Sequence, residues 1–345
     1  MKKYLMLTAM ALTLAFSKSS MAELIVLASP PDSSGYYHQH VDDIVDFQIN
    51  YAKHILDNDD DVLILTANEF YKTYVKALGK DHVLVFPMDD IWMRDFTLTN
   101  PGGTPIAFRY TAEGQAGNPH PQEVADEVQD TFFQLVEDAD LHYKETDLLN
   151  DGGNVVDDYA GNVIMSTKFL RDNHLNEDQA RTKLKALMGA KHIAFIEADE
   201  LGGLEHADGV ASFVDENTVV VNDYPTDQAY TKELKDELKR QLPGVHVVAI
   251  AAPYDANSTV DPKFPSACGL YTNMLVTPDS IYFPQFGIPE DKIAIKQLQA
   301  VTDKKIVPVS SQSICGMGGG VRCMSLQLRG ENAQRLMHYV RSENH

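Results

Sequence analysis

Residues 154–165, NVVDDYAGNVIM, set two apolar β-branched runs around a turn at Tyr159-Ala160-Gly161-Asn162. That is the signature of a β-hairpin. The same pattern recurs in both directions along the chain. ASFVDENTVVV (211–221) turns at 215–217, and NMLVTPDSIYF (273–283) turns at 278–280. Upstream, FTLTNPGGTPIAF (96–108) turns at Pro-Gly-Gly, residues 101–103. The four starts, Phe96, Asn154, Ala211 and Asn273, lie 58, 57 and 62 residues apart, and a further strand-like run at 323–328 begins 50 residues later.

Each interval holds a helix and then an apolar strand. Val124, Val128, Phe132 and Leu135 mark one helical face, and Tyr230, Leu234 and Leu238 another. Asn176 with Gln179 reads as a capping box and Gly189 as the matching stop. A fourth helix follows Pro289. Strands are predicted at 193–196, 245–250 and 306–309, and near the N-terminus at 25–28, 62–65 and 83–86. A recurring order of elements without recurring sequence predicts an array of equivalent units. Five ββαβ units around an axis account for most of the chain, provided that the fifth joins the C-terminal strand to the N-terminal ones. A three-layer α/β sandwich is the alternative.

In such an array the entries to the hairpins fall at one end. These entries are Trp92-Met93-Arg94-Asp95, Asp151-Gly152-Gly153, Glu205-His206-Ala207-Asp208-Gly209, Thr272-Asn273 and Gly318-Gly319-Gly320-Val321-Arg322-Cys323. Their convergence would gather Trp92, Asp95, Asp151, His206, Asp208, Asn273 and Cys323 in one pocket. Each has a plainer reading: half of a structural ion pair for Asp95, a turn residue for Asp151, a strand-end cap for Asn273, a small core residue for Cys323. His206 and Asp208 share a face if they lie on a strand. The three glycines before Cys323 allow backbone conformations closed to other residues and let a ligand approach the chain closely.

The chain has 345 residues, 44% of them hydrophobic, enough for a large core. Residues 1–22 read as a secretory signal: Lys2 and Lys3, an apolar run over 4–16, then small residues at Ser20-Met21-Ala22. The expectation is a periplasmic or secreted protein whose single catalytic domain spans 23–345 and has no membrane segment. The net charge is −21, and loss of Lys2, Lys3 and Lys18 with no acid takes it to −24. That charge excludes nucleic acid as a natural partner and is compatible with a cationic ligand. Of three cysteines, Cys268, Cys315 and Cys323, an oxidising compartment could pair two and leave one reactive thiol, and their spacing fits no zinc motif. Counting leaves open which two would pair, and the oligomeric state is equally open.

The order Trp92 to Asp95, Gly152-Gly153, His206-Ala207-Asp208, Gly318 to Cys323 resembles the agmatine deiminase and Porphyromonas-type peptidylarginine deiminase family, over roughly residues 83–328. The resemblance implies a five-bladed pseudo-symmetric α/β propeller and hydrolytic deimination of a guanidino substrate, with no cofactor and no metal. It implies Cys323 as nucleophile, His206 as general acid and base, Asp95 and Asp208 clasping the guanidinium and Asn273 positioning it. These residue types suit the chemistry. A guanidinium is planar and charged, two carboxylates can hold it by charge-assisted hydrogen bonds, and its poorly electrophilic carbon calls for a thiolate.

Three departures bear on the substrate. Arg322 stands where the family often has His before the cysteine. Phe96-Thr97 replaces a common Gly-Pro. The region where the peptidylarginine branch carries an arginine pair reads Phe108-Arg109-Tyr110-Thr111-Ala112-Glu113, with a single arginine and an acid. An acid suits an amine tail, so a small cationic guanidine like agmatine is the first expectation and an arginyl peptide the second. A cysteine-dependent amidase or peptidase, and a non-catalytic exported binding protein for cationic ligands, are the competing readings.

Overall fold

The computed structural model describes residues 23–100, 103–115, 118–199 and 204–344. The expected signal segment, 1–22, lies outside the described residues, as do two residues of the first predicted turn, 101 and 102. In chain order the elements are β1 (Leu24–Ala28), α1 (Val41–Leu56), β2 (Asp61–Thr66), α2 (Tyr71–Leu78), β3 (Val83–Val85), α3 (Met93–Phe96), β4 (Ile106–Arg109), α4 (Pro121–Asp138), β5 (Lys144–Leu149), β6 (Val156–Asp157), β7 (Asn162–Ser166), α5 (Lys168–Asp172), α6 (Glu177–Met188) and β8 (His192–Ile196). There follow β9 (Ala211–Asp215), β10 (Thr218–Asp223), α7 (Gln228–Gln241), β11 (His246–Ala251), β12 (Leu275–Val276), β13 (Ser280–Gln285), α8 (Glu290–Gln299), β14 (Lys305–Ser310), β15 (Leu326–Leu328) and α9 (Gly330–Glu343).

The fold is mixed α/β, and the described strands form five sheets: β15-β1-β2-β3, β4-β5, β6-β7-β8, β11-β10-β9 and β12-β13-β14. Each contains a parallel pair joined by a crossover that carries a helix: β1–β2, β4–β5, β7–β8, β10–β11 and β13–β14. In four of them an antiparallel strand flanks that pair. The predicted hairpins at 154–165, 211–221 and 273–283 are present as β6–β7, β9–β10 and β12–β13. The fifth sheet closes the chain on itself, with Leu24, Ile25 and Val26 of β1 opposite Leu328, Gln327 and Leu326 of β15.

The first expected hairpin needs correction. Phe96 lies in the short helix α3, and among the described residues one bridge, Thr99 with Ile106, represents the pairing. The expected strand placement of His206 and Asp208 also fails, because Ala207–Gly209 forms a 3₁₀ turn with His206 just before it. The strand expected from residue 323 begins at Leu326, which leaves Cys323 in a turn.

Helices wedge between neighbouring sheets. The buried face of α1, with Ile44, Phe47 and Tyr51, packs on Val62 and Ile64 of its own sheet and on Tyr282 and Val307 of the next. Ala294 and Leu298 of α8 meet Ile281 and Phe283 and also Val214 and Val220 of the adjacent sheet. Each such Leu, Ile or Phe contributes about 1.5–3 kcal/mol on burial. The capping box at Asn176 and the left-handed Gly189 bound α6 as the sequence predicts. Among the described residues no helix is long and apolar enough to cross a membrane.

Candidate active site

Short turns, rather than strands, deliver the polar side chains. Asp95 sits in α3, Asp151 precedes the 3₁₀ turn Gly152–Asn154, His206 precedes Ala207–Gly209, and Asn273 and Cys323 lie in turns ahead of β12 and β15. A cavity of about 300 Å³ gathers Trp92, Asp95, His206 and Cys323 on its wall. The other three expected site residues are bonded to the cavity or its surroundings without lining it. Asp151 holds His206, Asn273 holds Cys323, and Asp208 holds Arg322.

His206 lies between two carboxylates. Its Nε2 is 2.9 Å from Asp151 Oδ2, and its Nδ1 is 3.7 Å from Asp95 Oδ1. The Thr111 backbone N–H and hydroxyl donate to Asp151 at 2.9 and 3.0 Å and fix its orientation. Burial alone would strip the imidazole of its proton. The charge on Asp95 and the bond to Asp151 overcome that and raise its pKa from 6.5 to about 10. Burial pushes the Asp151 carboxyl up, but its bonds to His206 and Thr111 bring it net below the usual value. Asp95, with one backbone donor, Gly153 N–H at 3.1 Å, is raised by burial to about 7. The site therefore holds a charged imidazolium beside one firmly ionised carboxylate and one that titrates near neutrality.

Cys323 is the free cysteine, since Cys268 and Cys315 are joined in a disulfide. Asn273 fastens it. The amide Nδ2 donates to Sγ at 3.0 Å, and Oδ1 accepts from the Arg322 and Cys323 N–H groups at 3.1 and 3.4 Å. Burial, then the charges on Asp208 and Asp95, push the thiol pKa well above its ordinary value. Those causes favour the protonated thiol, and a cation beside it would favour the thiolate.

Two glycines make this packing possible. A Cβ on Gly153 would stand 2.5 Å from His206 Nδ1 and 2.8 Å from Asp95 Oδ1. One on Gly319 would meet the Trp92 ring at 2.2 Å. Both positions need the missing side chain.

The sequence reading missed part of the wall. Asp90 lines the cavity, accepts hydrogen bonds from the Tyr37 hydroxyl and its neighbour Ile91 N–H at 2.6 Å each, and is raised by burial. Its position two residues before Trp92 was the available signal. Tyr37, Tyr110 and Phe264 also line the cavity, and Lys263 is the one lysine or arginine among its described lining residues. They come from loops that carry no motif. Glu113, the acid expected to suit an amine tail, instead lies 3.3 Å from Lys168, and Arg109 is bidentate to Asp126 at 3.0 and 2.7 Å.

The model of the Porphyromonas-type peptidyl-arginine deiminase family matches residues 19–328. A protein of Latilactobacillus sakei, provisionally named agmatine deiminase, is 27% identical over 296 residues, spanning 74% of this chain and 80% of its own. Among solved structures, the agmatine deiminase of C. jejuni superposes with a TM-score of 0.71 at 22% identity, covering 89% of this chain and 93% of its own. That of Enterococcus faecalis gives 0.72 at 18% identity, with the same 89% and 93% coverage. Likeness at such identity speaks to the fold.

Proposed function

Because the chain belongs to the Porphyromonas-type peptidyl-arginine deiminase family, we propose that it is a guanidine-modifying hydrolase that releases ammonia through a covalent intermediate on Cys323. The observation that carries the reading is the meeting of one free thiol, an imidazolium and a cavity-facing carboxylate, Cys323, His206 and Asp95, around one cavity. Asp95 accepts the guanidinium N–H groups and orients the carbon toward Sγ. The substrate's charge lowers the thiol pKa, the thiol proton passes to solvent, and the thiolate adds to the central carbon to form the C–S bond. His206 donates its proton to the departing nitrogen, the C–N bond breaks and ammonia leaves. His206, now neutral, takes a proton from water as that water adds to the same carbon. The C–S bond then breaks, which yields the ureido product and restores the thiolate. Asp151 keeps His206 oriented throughout.

A small amine-tailed guanidine, agmatine-like, fits the wall better than an arginyl peptide. Asp89, Asp90 and the rings of Tyr36, Tyr37 and Phe264 line the cavity, where a carboxylate-tailed ligand would meet Lys263 as its one lysine or arginine partner. The five sheets, each with a parallel crossover pair, support a five-bladed propeller formed by one catalytic domain over 23–345. The Cys268–Cys315 disulfide supports export to an oxidising compartment, after cleavage near Ala22. The N-terminal mass of the fractionated protein tests that.

The function is tested by ammonia release from agmatine, free arginine and arginyl peptides. Agmatine should give the highest kcat/KM, and Cys323→Ala should abolish release while the fold persists. Near-normal release by that variant would refute the assignment.

A further inference from the structure

Arg322 is a guanidinium that belongs to the protein, one residue from the nucleophile, and it occupies the carboxylate that the family resemblance assigned to the substrate. Its Nη1 donates to Asp208 Oδ2 at 2.8 Å and its Nη2 to the Val155 carbonyl at 2.7 Å. Both side chains of the pair are almost wholly buried, 8% exposed for Arg322 and 2% for Asp208. Asp208 does not line the catalytic cavity, whereas Arg322 lines a second cavity, beside Asp157 and Tyr159. The Asp208 charge nonetheless reaches Cys323 and acts on its thiol more strongly than that of Asp95.

From this arrangement we infer that Arg322 is a positioning residue for the nucleophile: it holds Asp208 away from the substrate cavity and offsets part of the negative charge that opposes ionisation of Cys323. A buried carboxylate left without its partner is strongly destabilising to any anion beside it, because little solvent screens the repulsion. Arg322 itself remains charged. Burial works against its charge, but Asp208 and Asp157 more than compensate. The other charged or titratable groups facing this region are Asp95, His206, Arg94, Asp157 and Tyr159. Of these, the cations Arg94 and His206 also feel the Asp208 charge, but Arg94 donates to Gln327 at 3.0 Å and His206 is bonded to Asp151, so Arg322 is the cation paired directly with Asp208.

The inference uses the nucleophile reading of Cys323 only for its catalytic meaning, and its test needs no turnover. With Cys268 and Cys315 oxidised, iodoacetamide reports on one thiol, Cys323. The pH midpoint of alkylation is measured in the wild type, in Arg322→Gln, in Arg322→Lys and in the double variant Arg322→Gln/Asp208→Asn. Arg322→Gln keeps an uncharged N–H donor on a shorter side chain and loses the charge. Its midpoint should rise by about one pH unit, which is about tenfold slower alkylation at a fixed pH below the midpoint. Arg322→Lys should stay near the wild type, and the double variant should return to the wild-type midpoint or below it. An unchanged midpoint in Arg322→Gln, or a rise that Asp208→Asn does not reverse, would overturn the inference. Should Arg322→Gln fail to fold, the Lys and double variants carry the decision: both near or below the wild type supports the inference, and either one raised by a unit overturns it. Loss of ammonia release with intact thiol titration would count against the deiminase reading and leave this one standing.

Discussion

At Gly153 a single methyl group separates a working site from a spoiled one. The nearest atoms to a Cβ there are His206 Nδ1 and Asp95 Oδ1, both buried; His206 is held through its Nε2 by Asp151 and Asp95 Oδ1 accepts from Gly153 N–H itself, so neither can retreat without loosening those bonds. Gly153→Ala should cost about 1–3 kcal/mol of stability from overpacking and about 10²-fold in kcat from displaced groups, read by denaturant melts and ammonia release. The protonation states make a second prediction. Asp95 must be ionised to hold a guanidinium, and its pKa is raised to about 7, while His206 must be protonated to donate, and its pKa is raised to about 10. The dependence of ammonia release on pH should therefore be bell-shaped, with limbs near those values. For stability the sign is separate. A histidine whose folded pKa exceeds its unfolded 6.5 contributes fully below about 6.5 and loses that contribution as pH rises toward about 10. Urea midpoints should fall across that window, and less so in His206→Ala. The gathering of Trp92, Asp95, His206 and Cys323 on one cavity wall was legible in sequence because they stand in recognisable motifs. Asp90, Tyr37 and Phe264 were not, since loops set their positions and no periodicity marks them. The commitment of Asp208 to Arg322 was hidden too, because a residue alone does not announce its partner across 114 positions.

At the scale of elements, the hairpins with β-branched runs read true, while the segment after Asp95 did not. Thr97 bonds back to the Met93 carbonyl and finishes a helical turn, so pairing is limited to Thr99 with Ile106. Strand β5, KETDLL, escaped notice because its alternation is polar and its burial partial. Helix α9 went unread as well, although Leu336 and Val340 are buried at helical spacing. The loops that bring Phe264 and Met317 to the cavity are tied by Cys268–Cys315, a separation of 47 residues, and by Val260 N–H to the Gly316 carbonyl at 2.8 Å. Closing a loop of that length stabilises by about 4 kcal/mol in the chain-entropy account. Replacing both cysteines with serine should lower the stability measured in urea by an amount of that order. An unchanged midpoint would mean that the backbone bonds suffice.

Across the whole molecule, the site draws on segments from both halves of the described residues. Asp95, Asp151, His206, Asn273 and Cys323 come from five separate segments between the strands, and β1 pairs with β15 to complete the fifth sheet. Truncation after Ser325 removes Leu326, Leu328, Leu336 and Val340, all buried. At about 1.5–3 kcal/mol each, that is comparable to the roughly 5–15 kcal/mol that holds a domain together. The truncated chain should show no cooperative unfolding transition by circular dichroism. The central claim is that Cys323 becomes covalently bonded to the guanidino carbon during turnover. Acid quenching during agmatine hydrolysis, followed by peptide mass analysis, addresses it directly. The account predicts an adduct confined to the peptide carrying Cys323 and absent from Cys323→Ala. Sustained ammonia release with that peptide unmodified at every quench time would contradict it.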